Sequence, residues 1–105
     1  MQHIIEAASD IQEFLADVRS IESFIANKLV RSAVVRQIGI IGEAACKLSP
    51  DFKAIHSDIP WTIIIGMRNR LIHGYFGVDY PLVYAVCRKE IPDLQNRIMK
   101  LLASE

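Results

Sequence analysis

The sequence predicts an all-α fold, an antiparallel bundle of four to five helices. Apolar residues recur at helical spacing along almost the whole chain, and no segment alternates in the way that is typical of a half-buried strand. The connections between the periodic segments are brief, which favours antiparallel neighbours. Since 105 residues are enough for one core and too few for two, we expect residues 1–105 to form a single domain.

The first half of the chain predicts two long helices. Apolar residues step by four, three, four and three in the first of them: Ile4, Ala8, Ile11, Leu15 and Val18. Ser20 is a candidate N-cap for a short helical piece that ends at Ile25. The second long helix spans Val30 to Leu48 and is apolar nearly all round, so we expect it to be central. Within it, Gly39 and Gly42 permit close backbone approach.

The second half predicts two more long helices. Pro50 ends the central helix, and turn formers fill residues 51–57. Asp58 is a candidate N-cap for a third long helix from about Ile59 to Ile72, which glycines at 74 and 77 should close. After Asp79, a second candidate N-cap, the apolar spacing continues from Tyr80 to Leu101 and keeps its phase across Pro92, where we expect a kink or short break.

Charge and composition exclude several classes of protein. Twelve basic residues balance twelve acidic ones, so any site for a polyanion must be local. The longest stretch without Asp, Glu, Lys or Arg, Ile59 to Met67, is about half a bilayer span, so we expect a soluble, cytoplasmic protein.

Cys46 and Cys87 lack metal-ligand spacing, and we expect free, buried thiols. A hydrophobic content of 51% is high for so small a core and suggests apolar contact with another chain.

A dense polar cluster closes the third long helix. It comprises Arg68, Asn69, Arg70, His73 and Tyr75, directly after an apolar run. At 100° per residue Asn69 and His73 are one turn apart and Arg68 lies almost beneath Tyr75, so their side chains can line one cleft. Arg68 and His73 are about 140° apart on an ideal helix, so convergence on one atom needs the long arginine stem, a distorted last turn or a second chain.

The chemistry of this cluster suits cleavage of an RNA phosphodiester by the adjacent 2′-hydroxyl. Histidine moves protons near neutral pH, while arginine binds and neutralises phosphoryl oxygens, and no metal is needed. The alternative is structural, with the arginines interacting with the helix C-terminus and nearby carboxylates and His73 acting as a cap. Spacing alone leaves both interpretations open.

The wider sequence around the cluster resembles a known family. Ile59-Pro-Trp61, followed by Gly66-Met-Arg-Asn-Arg-Leu-Ile-His-Gly-Tyr-Phe-Gly-Val-Asp79, is similar to the HepT-like branch of the HEPN superfamily, whose signature is R-x-x-x-x-H-x-Y. The blocks His3-Ile-Ile-Glu-Ala7 and Ile40-Ile-Gly-Glu-Ala-Ala45 resemble the same family in the same order. The resemblance therefore covers nearly the whole chain and implies a HEPN-like bundle.

The resemblance also implies a function. It indicates a ribonuclease toxin of a prokaryotic toxin–antitoxin pair, a homodimer without cofactors that cuts RNA and leaves 2′,3′-cyclic phosphate ends. Arg68 would stabilise the phosphorane, His73 would act as general acid or base, Asn69 would orient the substrate, and Arg70 and Phe76 are possible RNA contacts. The antitoxin would be a minimal, MntA-like nucleotidyltransferase that silences the toxin by transferring AMP to Tyr75, which adds bulk and charge at the cleft.

Some features leave alternatives open. The family often has Arg-Asn-Leu-Glu before the second block, whereas this chain has Arg36-Gln-Ile-Gly39, so an acidic partner for the motif is missing there. Glu43 can instead pair with a motif arginine, pair with Arg36, or be solvated. The same composition also fits two other functions for this chain. It could be a helical partner of a nucleotidyltransferase and not itself cut RNA, or a scaffold that only dimerises. We assign no role to His3 or His56.

Overall fold

The protein is an all-α helical bundle, as predicted, in a computed structural model that describes residues 2–71 and 77–103. Those residues contain four long helices and two short ones, rather than the four to five helices expected. The long helices are α1 (Gln2–Phe14), α3 (Lys28–Cys46), α5 (Trp61–Leu71) and α6 (Tyr80–Ala103). The short ones are α2 (Ile21–Ala26) and α4 (Pro50–Ile55).

The core forms where the apolar stripes of the long helices meet. Helix α3 packs against α1 on one side and α5 on the other, and α6 packs against α1 and α2. The central position predicted for the second long helix is therefore confirmed. Its buried stripe consists of Val34, Ile38, Ile41 and Ala45, at spacings of four and three residues.

Side chains cap helices α2 and α3 at their N-termini. Ser20 accepts a hydrogen bond from the Ser23 N–H and completes a capping box at the start of α2, which confirms the predicted cap. Asn27 caps α3 by accepting from the Val30 N–H. Helix α1 ends at Phe14, earlier than expected, although Leu15 and Val18 are buried as the stripe predicts. Their burial occurs in the turn that follows the helix.

Three expectations about the second half are wrong. Residues 50–55 form helix α4, because Ser49 accepts from the Phe52 N–H as N-cap and Pro50 occupies the first helical position, where its missing N–H costs nothing. Helix α5 begins at Trp61, so Asp58 is not its N-cap; the Asp58 carbonyl instead accepts a hydrogen bond from Arg97. Helix α6 continues through Pro92, so of the kink or short break expected there, the break does not occur.

The two cysteines lie in different environments, and both are free thiols. Cys87 is buried in the core, and burial raises the pKa of its thiol to about 12, against a smaller lowering effect of Arg88. Cys46 is exposed, so the expectation of two buried thiols is wrong for this residue. None of the helices in the described part of the chain is long and apolar enough to cross a membrane.

Candidate active site

The last turn of α5 carries the polar residues of the predicted site. Four side chains on the inner face of the helix are buried: Trp61, Ile64, Met67 and Leu71. Their spacing of three and four residues leaves Arg68 and Asn69 exposed on the outer face, near the C-terminal end. The apolar stripe therefore fixes the rotation of α5 and with it the side on which these two polar residues lie.

Helix α5 crosses α3 closely at Gly42. A β carbon built on Gly42 would lie 3.7 Å from the Ile65 carbonyl oxygen and 3.9 Å from the Arg68 Cβ. The predicted close approach is thus confirmed at Gly42, because the absence of a side chain lets the backbone of α3 lie beside the first carbon of the Arg68 side chain. A β carbon built on Gly39 would have no neighbouring atom within 4 Å, so the backbone there faces open space.

An open groove of about 550 Å³ runs between α3 and α5 beside this crossing. Arg68 and Asn69 line it from α5. Helix α3 contributes Arg36, Gly39, Ile40, Gly42, Glu43 and Cys46. The Arg68 side chain makes no ion pair or hydrogen bond with residues 2–71 or 77–103, so its guanidinium is available for an anionic ligand.

Glu43 is the acidic residue among those that line the groove. Its carboxylate lies 3.4 Å from the Lys47 Nζ, one turn further along α3, and both side chains are more than two-thirds exposed. The sequence left open a pairing with Arg36 or with a motif arginine, and the ion pair in the structure is with Lys47. Exposed ion pairs of this kind contribute about 0–1 kcal/mol to stability, so a charged ligand can displace either partner at little cost.

Arg70 lies on a different side of α5. Its guanidinium is 3.4 Å from the Glu90 carboxylate on α6, and both side chains are about half exposed. It lines a smaller groove of about 230 Å³ between α5 and α6, with a largely apolar floor that includes Met67 and Leu94. The structure therefore separates Arg70 from Arg68, and its contact with RNA stays a prediction.

His73, Tyr75 and Phe76 lie outside the described residues, so their roles stay predictions. The chain on either side of them is joined, because the Asp79 N–H donates a hydrogen bond of 2.9 Å to the Leu71 carbonyl oxygen. The Asp79 carboxylate also accepts from the Leu82 N–H in the first turn of α6, as expected of an N-cap. Leu71 and Asp79 therefore lie next to each other at the C-terminus of α5.

Three aromatic residues on or beside the described helices, Trp61, Tyr80 and Tyr84, pack into the protein. Trp61 is buried and its indole N–H donates to the His56 carbonyl oxygen at 3.0 Å. The rings of Tyr80 and Tyr84 pack against the buried ring of Phe24, with centroids 6.4 and 5.3 Å away. Within the described ranges, no three His, Cys, Asp or Glu side chains are grouped as a metal site would require.

The contribution of α3 to the groove is the part that the sequence reasoning missed. Arg36, Ile40, Glu43 and Lys47 follow one another at spacings of four, three and four residues on the face opposite the buried stripe of α3. The sequence predictions give Arg36 no ligand role, only a departure from the family pattern and a pairing with Glu43, and they do not include Lys47. The polar face of this helix was the signal that could have drawn attention to both.

Comparison with known proteins decides the family. The model of the family described as "Ribonuclease HepT-like" matches residues 4–101. The chain belongs to the ribonuclease HepT-like family. A protein of Thermococcus cleftensis named "Probable ribonuclease HepT" is 39% identical, with 96% of this chain and 91% of the relative covered.

Two further relatives of this HepT-like chain have similar coverage. A protein of Methanocaldococcus jannaschii named "Putative RNase" is 39% identical over 90% of this chain and 86% of the relative. Another of Caldanaerobacter subterraneus subsp. tengcongensis with the same description is 37% identical over all of this chain and 93% of the relative. No solved structure gives a significant match. The HepT-like match thus extends over nearly the full length of the chain, including the helices that form the groove.

Proposed function

We propose that this chain, as one domain of residues 1–105, is a metal-independent endoribonuclease that cuts RNA at the groove beside Arg68. The observation that carries the proposal is the family match over residues 4–101 together with Arg68, which has no ion-pair or hydrogen-bond partner among the described residues and lies beside Asn69 at an open groove. Leu71, the last described residue before His73, ends the helix that carries Arg68 and Asn69. A guanidinium and an imidazole on neighbouring parts of the chain are sufficient for 2′-hydroxyl chemistry.

The reaction uses the substrate's own 2′-oxygen as nucleophile. This oxygen bonds to phosphorus while the bond from phosphorus to the 5′-oxygen breaks, which leaves a 2′,3′-cyclic phosphate and a 5′-hydroxyl. His73 takes the 2′ proton or supplies the proton that the leaving oxygen needs. Arg68 stabilises the charge on the phosphoryl oxygens, and Asn69 orients the substrate.

A homodimer would supply both proton-transfer groups. Two copies of the motif in one cleft provide one histidine as base and one as acid, and they remove the geometric difficulty of the angle of about 140° between Arg68 and His73. The outer face of α5 supports such a contact, because Ile65 lines the groove next to Asn69 and is only partly buried. Apolar side chains at that position are suited to a second copy.

Cleavage is tested with protein expressed alone, treated with EDTA and mixed with total RNA. We expect fragments with cyclic phosphate ends, and we expect His73→Ala and Arg68→Ala to abolish cutting while the fold is kept. His56→Gln, which removes a histidine outside the groove, is the matched control and should cut as the wild type does. If unmodified wild-type protein leaves RNA intact, the chain is not a nuclease, and a non-catalytic partner of a nucleotidyltransferase becomes the better interpretation.

The dimer is tested by mixing wild-type protein with an excess of His73→Ala protein. If each cleft uses the histidines of both copies, mixed dimers lack either the base or the acid, so cleavage should fall below that of the same amount of wild-type protein alone. Light scattering should give twice the chain mass. A monomeric mass with full activity would exclude the shared cleft.

We also propose that the protein is a toxin neutralised by a minimal nucleotidyltransferase that transfers AMP to Tyr75. The transfer joins the tyrosine oxygen to the α-phosphorus of ATP and releases pyrophosphate. The added phosphate would repel RNA from a groove that Arg68 makes attractive to anions. Co-expression with such an enzyme should add the mass of AMP groups and stop cleavage, and Tyr75→Phe should block both effects. Modification at another residue would refute this assignment.

A further inference from the structure

The groove beside Arg68 does not end at α3. A second groove of about 260 Å³ shares Ile40 and Glu43 with it and is also lined by His3, Ala44 and Lys47. Because Ile40 and Glu43 line both, the two grooves adjoin each other on the outer face of α3, and together they are called the channel. The channel runs from the C-terminal end of α5, across the outer face of α3, to the first turn of α1.

We propose that this channel holds the single-stranded RNA that flanks the cleaved bond, with Arg36 and Lys47 in contact with backbone phosphates. The proposal rests on the proposed function, because it extends the substrate beyond the phosphate at Arg68. It assigns a binding role to two residues of α3 that lie outside the motif.

The length of the α3 face suits several nucleotides. Arg36 and Lys47 are eleven residues apart and lie on one stripe of the helix, so they are about 16 Å apart along its axis at 1.5 Å per residue. A stacked strand advances about 3.4 Å per nucleotide, so the stripe spans roughly four to five nucleotides. A strand held at Arg68 can therefore reach both cations.

The charges along the channel favour a polyanion. Arg36, Lys47 and Arg68 are cationic, and Glu43 is the acidic residue among the described lining residues. The Arg36 side chain makes no ion pair or hydrogen bond with residues in the described ranges. Lys47 is paired with Glu43 at an exposed position, where a phosphate can replace the carboxylate. The chain is neutral overall, so this excess of positive charge is local.

The floor of the channel is also open to a ligand. Ile40 is partly buried and offers apolar surface between the two cations. Next to it, Gly39 has no side chain, and nothing lies within 4 Å of where its β carbon would be. A strand can therefore approach the backbone of α3 closely at this point.

The test measures binding of a short single-stranded RNA in which 2′-O-methyl groups prevent cleavage, by fluorescence anisotropy at several salt concentrations. Arg36→Gln and Lys47→Gln should each weaken binding roughly three- to tenfold at low salt, and each should reduce the salt dependence by about 0.7 in log K against log salt. Glu43→Gln should strengthen binding, because it removes the negative charge. Arg36→Lys and Lys47→Arg keep the charge and should bind nearly as the wild type does.

Lys89→Gln is the matched control, since it removes one exposed positive charge on α6, away from the channel. If it weakens binding as much as Lys47→Gln does, the effect is one of net charge and the channel is refuted. Wild-type protein that does not bind the RNA also refutes it, as does unchanged binding by the two α3 variants.

The assay separates this inference from the proposed function, because binding of uncut RNA needs no catalysis. Binding that depends on Arg36 and Lys47, with no cleavage by any variant, would support the channel and refute the nuclease. Cleavage with an unchanged KM in both α3 variants would support the nuclease and refute the channel. All the substituted residues are exposed, so circular dichroism should show an unchanged fold.

Discussion

Replacing Gly42 by valine tests the contact that places Arg68 beside α3. A β carbon at this position meets the carbonyl oxygens of Ile65 and Ile64 at 3.7 and 3.8 Å, which are ordinary contact distances. Alanine therefore fits. Valine adds two carbons about 1.5 Å further out, and its stiff χ1 in a helix prevents both from turning away. Helices α3 and α5 must then separate.

The size of the effect follows from two opposing terms. Gly42→Ala removes the entropic cost of a glycine in a helix interior and should stabilise the protein by about 0.5–1 kcal/mol. Gly42→Val gains part of this stabilisation, but overpacking between α3 and α5 costs about 1–3 kcal/mol. The net change should therefore be a loss of about 1–2 kcal/mol in the free energy of unfolding. One kcal/mol shifts the Tm of a domain of this size by about 4–8 °C.

Thermal unfolding followed by circular dichroism measures these changes, and Gly39 provides the control. The same substitutions at Gly39 place their carbons in open space, so Gly39→Val should be close to Gly39→Ala in Tm. Gly42→Val should also lower the rate of RNA cleavage, because it displaces the first carbon of the Arg68 side chain. If the two valine variants are equally stable, α3 and α5 do not meet at Gly42 and the groove geometry is wrong.

Further predictions concern the thiols and a helix cap. Iodoacetamide at pH 8 should modify Cys46 and leave Cys87 unmodified until the protein unfolds, as read by mass spectrometry. Burial raises the pKa of Cys87 from 9.0 to about 12, so the unfolded chain loses this proton first. This thiol should leave the free energy of unfolding unchanged below about pH 9 and lower it between pH 9 and 12. In Cys87→Ala, the decrease between pH 9 and 12 should be smaller by this contribution. Asn27→Ala removes the 3.1 Å bond from the Val30 N–H and should cost about 1 kcal/mol in urea unfolding.

The apolar spacing predicted which residues are buried better than it predicted where helices end. Leu15 and Val18 are buried although α1 stops at Phe14, because a turn can continue to cover a stripe after the helical hydrogen bonds end. Pro50 was interpreted as a stop, whereas Ser49 before it makes the pair a helix start. The missing distinction is local, since proline is well tolerated at the first helical position although it disrupts the interior of a helix.

Helix α6 shows where packing overrides a local signal. Pro92 removes one backbone hydrogen bond and crowds the preceding turn, which costs about 3 kcal/mol in a helix interior. The apolar residues on either side, Ile91 and Leu94, are nevertheless buried in phase with the rest of the stripe. Burying side chains of this size contributes about 1.5–3 kcal/mol each, so a continuous helix is favoured over a break that would expose them.

The candidate site was only partly predictable, because half of it belongs to another helix. The spacing within α5 predicted that Arg68 and Asn69 lie in adjacent polar columns that can line one cleft, which is a local property of one helix. That α3 lines the other side of the groove depends on the crossing at Gly42, which is a tertiary contact. Arg70, two residues from Arg68, faces α6 instead and pairs with Glu90. A pattern within one helix cannot indicate which neighbouring helix each face will meet.

The partners of the arginines distinguish structural roles from functional ones in a chain without net charge. Four arginines bind groups of the protein itself and hold neighbouring segments together. Arg31 donates a hydrogen bond to the Ile25 carbonyl oxygen and Arg88 donates one to the Leu15 carbonyl oxygen. Ion pairs join Arg70 to Glu90 and Arg97 to Asp93. Arg36 and Arg68 have no such partner among the described residues, and both line the same groove. These two arginines therefore keep positive charge available at the groove although the total charge of the chain is zero. Net charge therefore argues against non-specific binding along the whole surface, and it leaves a local RNA site fully compatible with this chain.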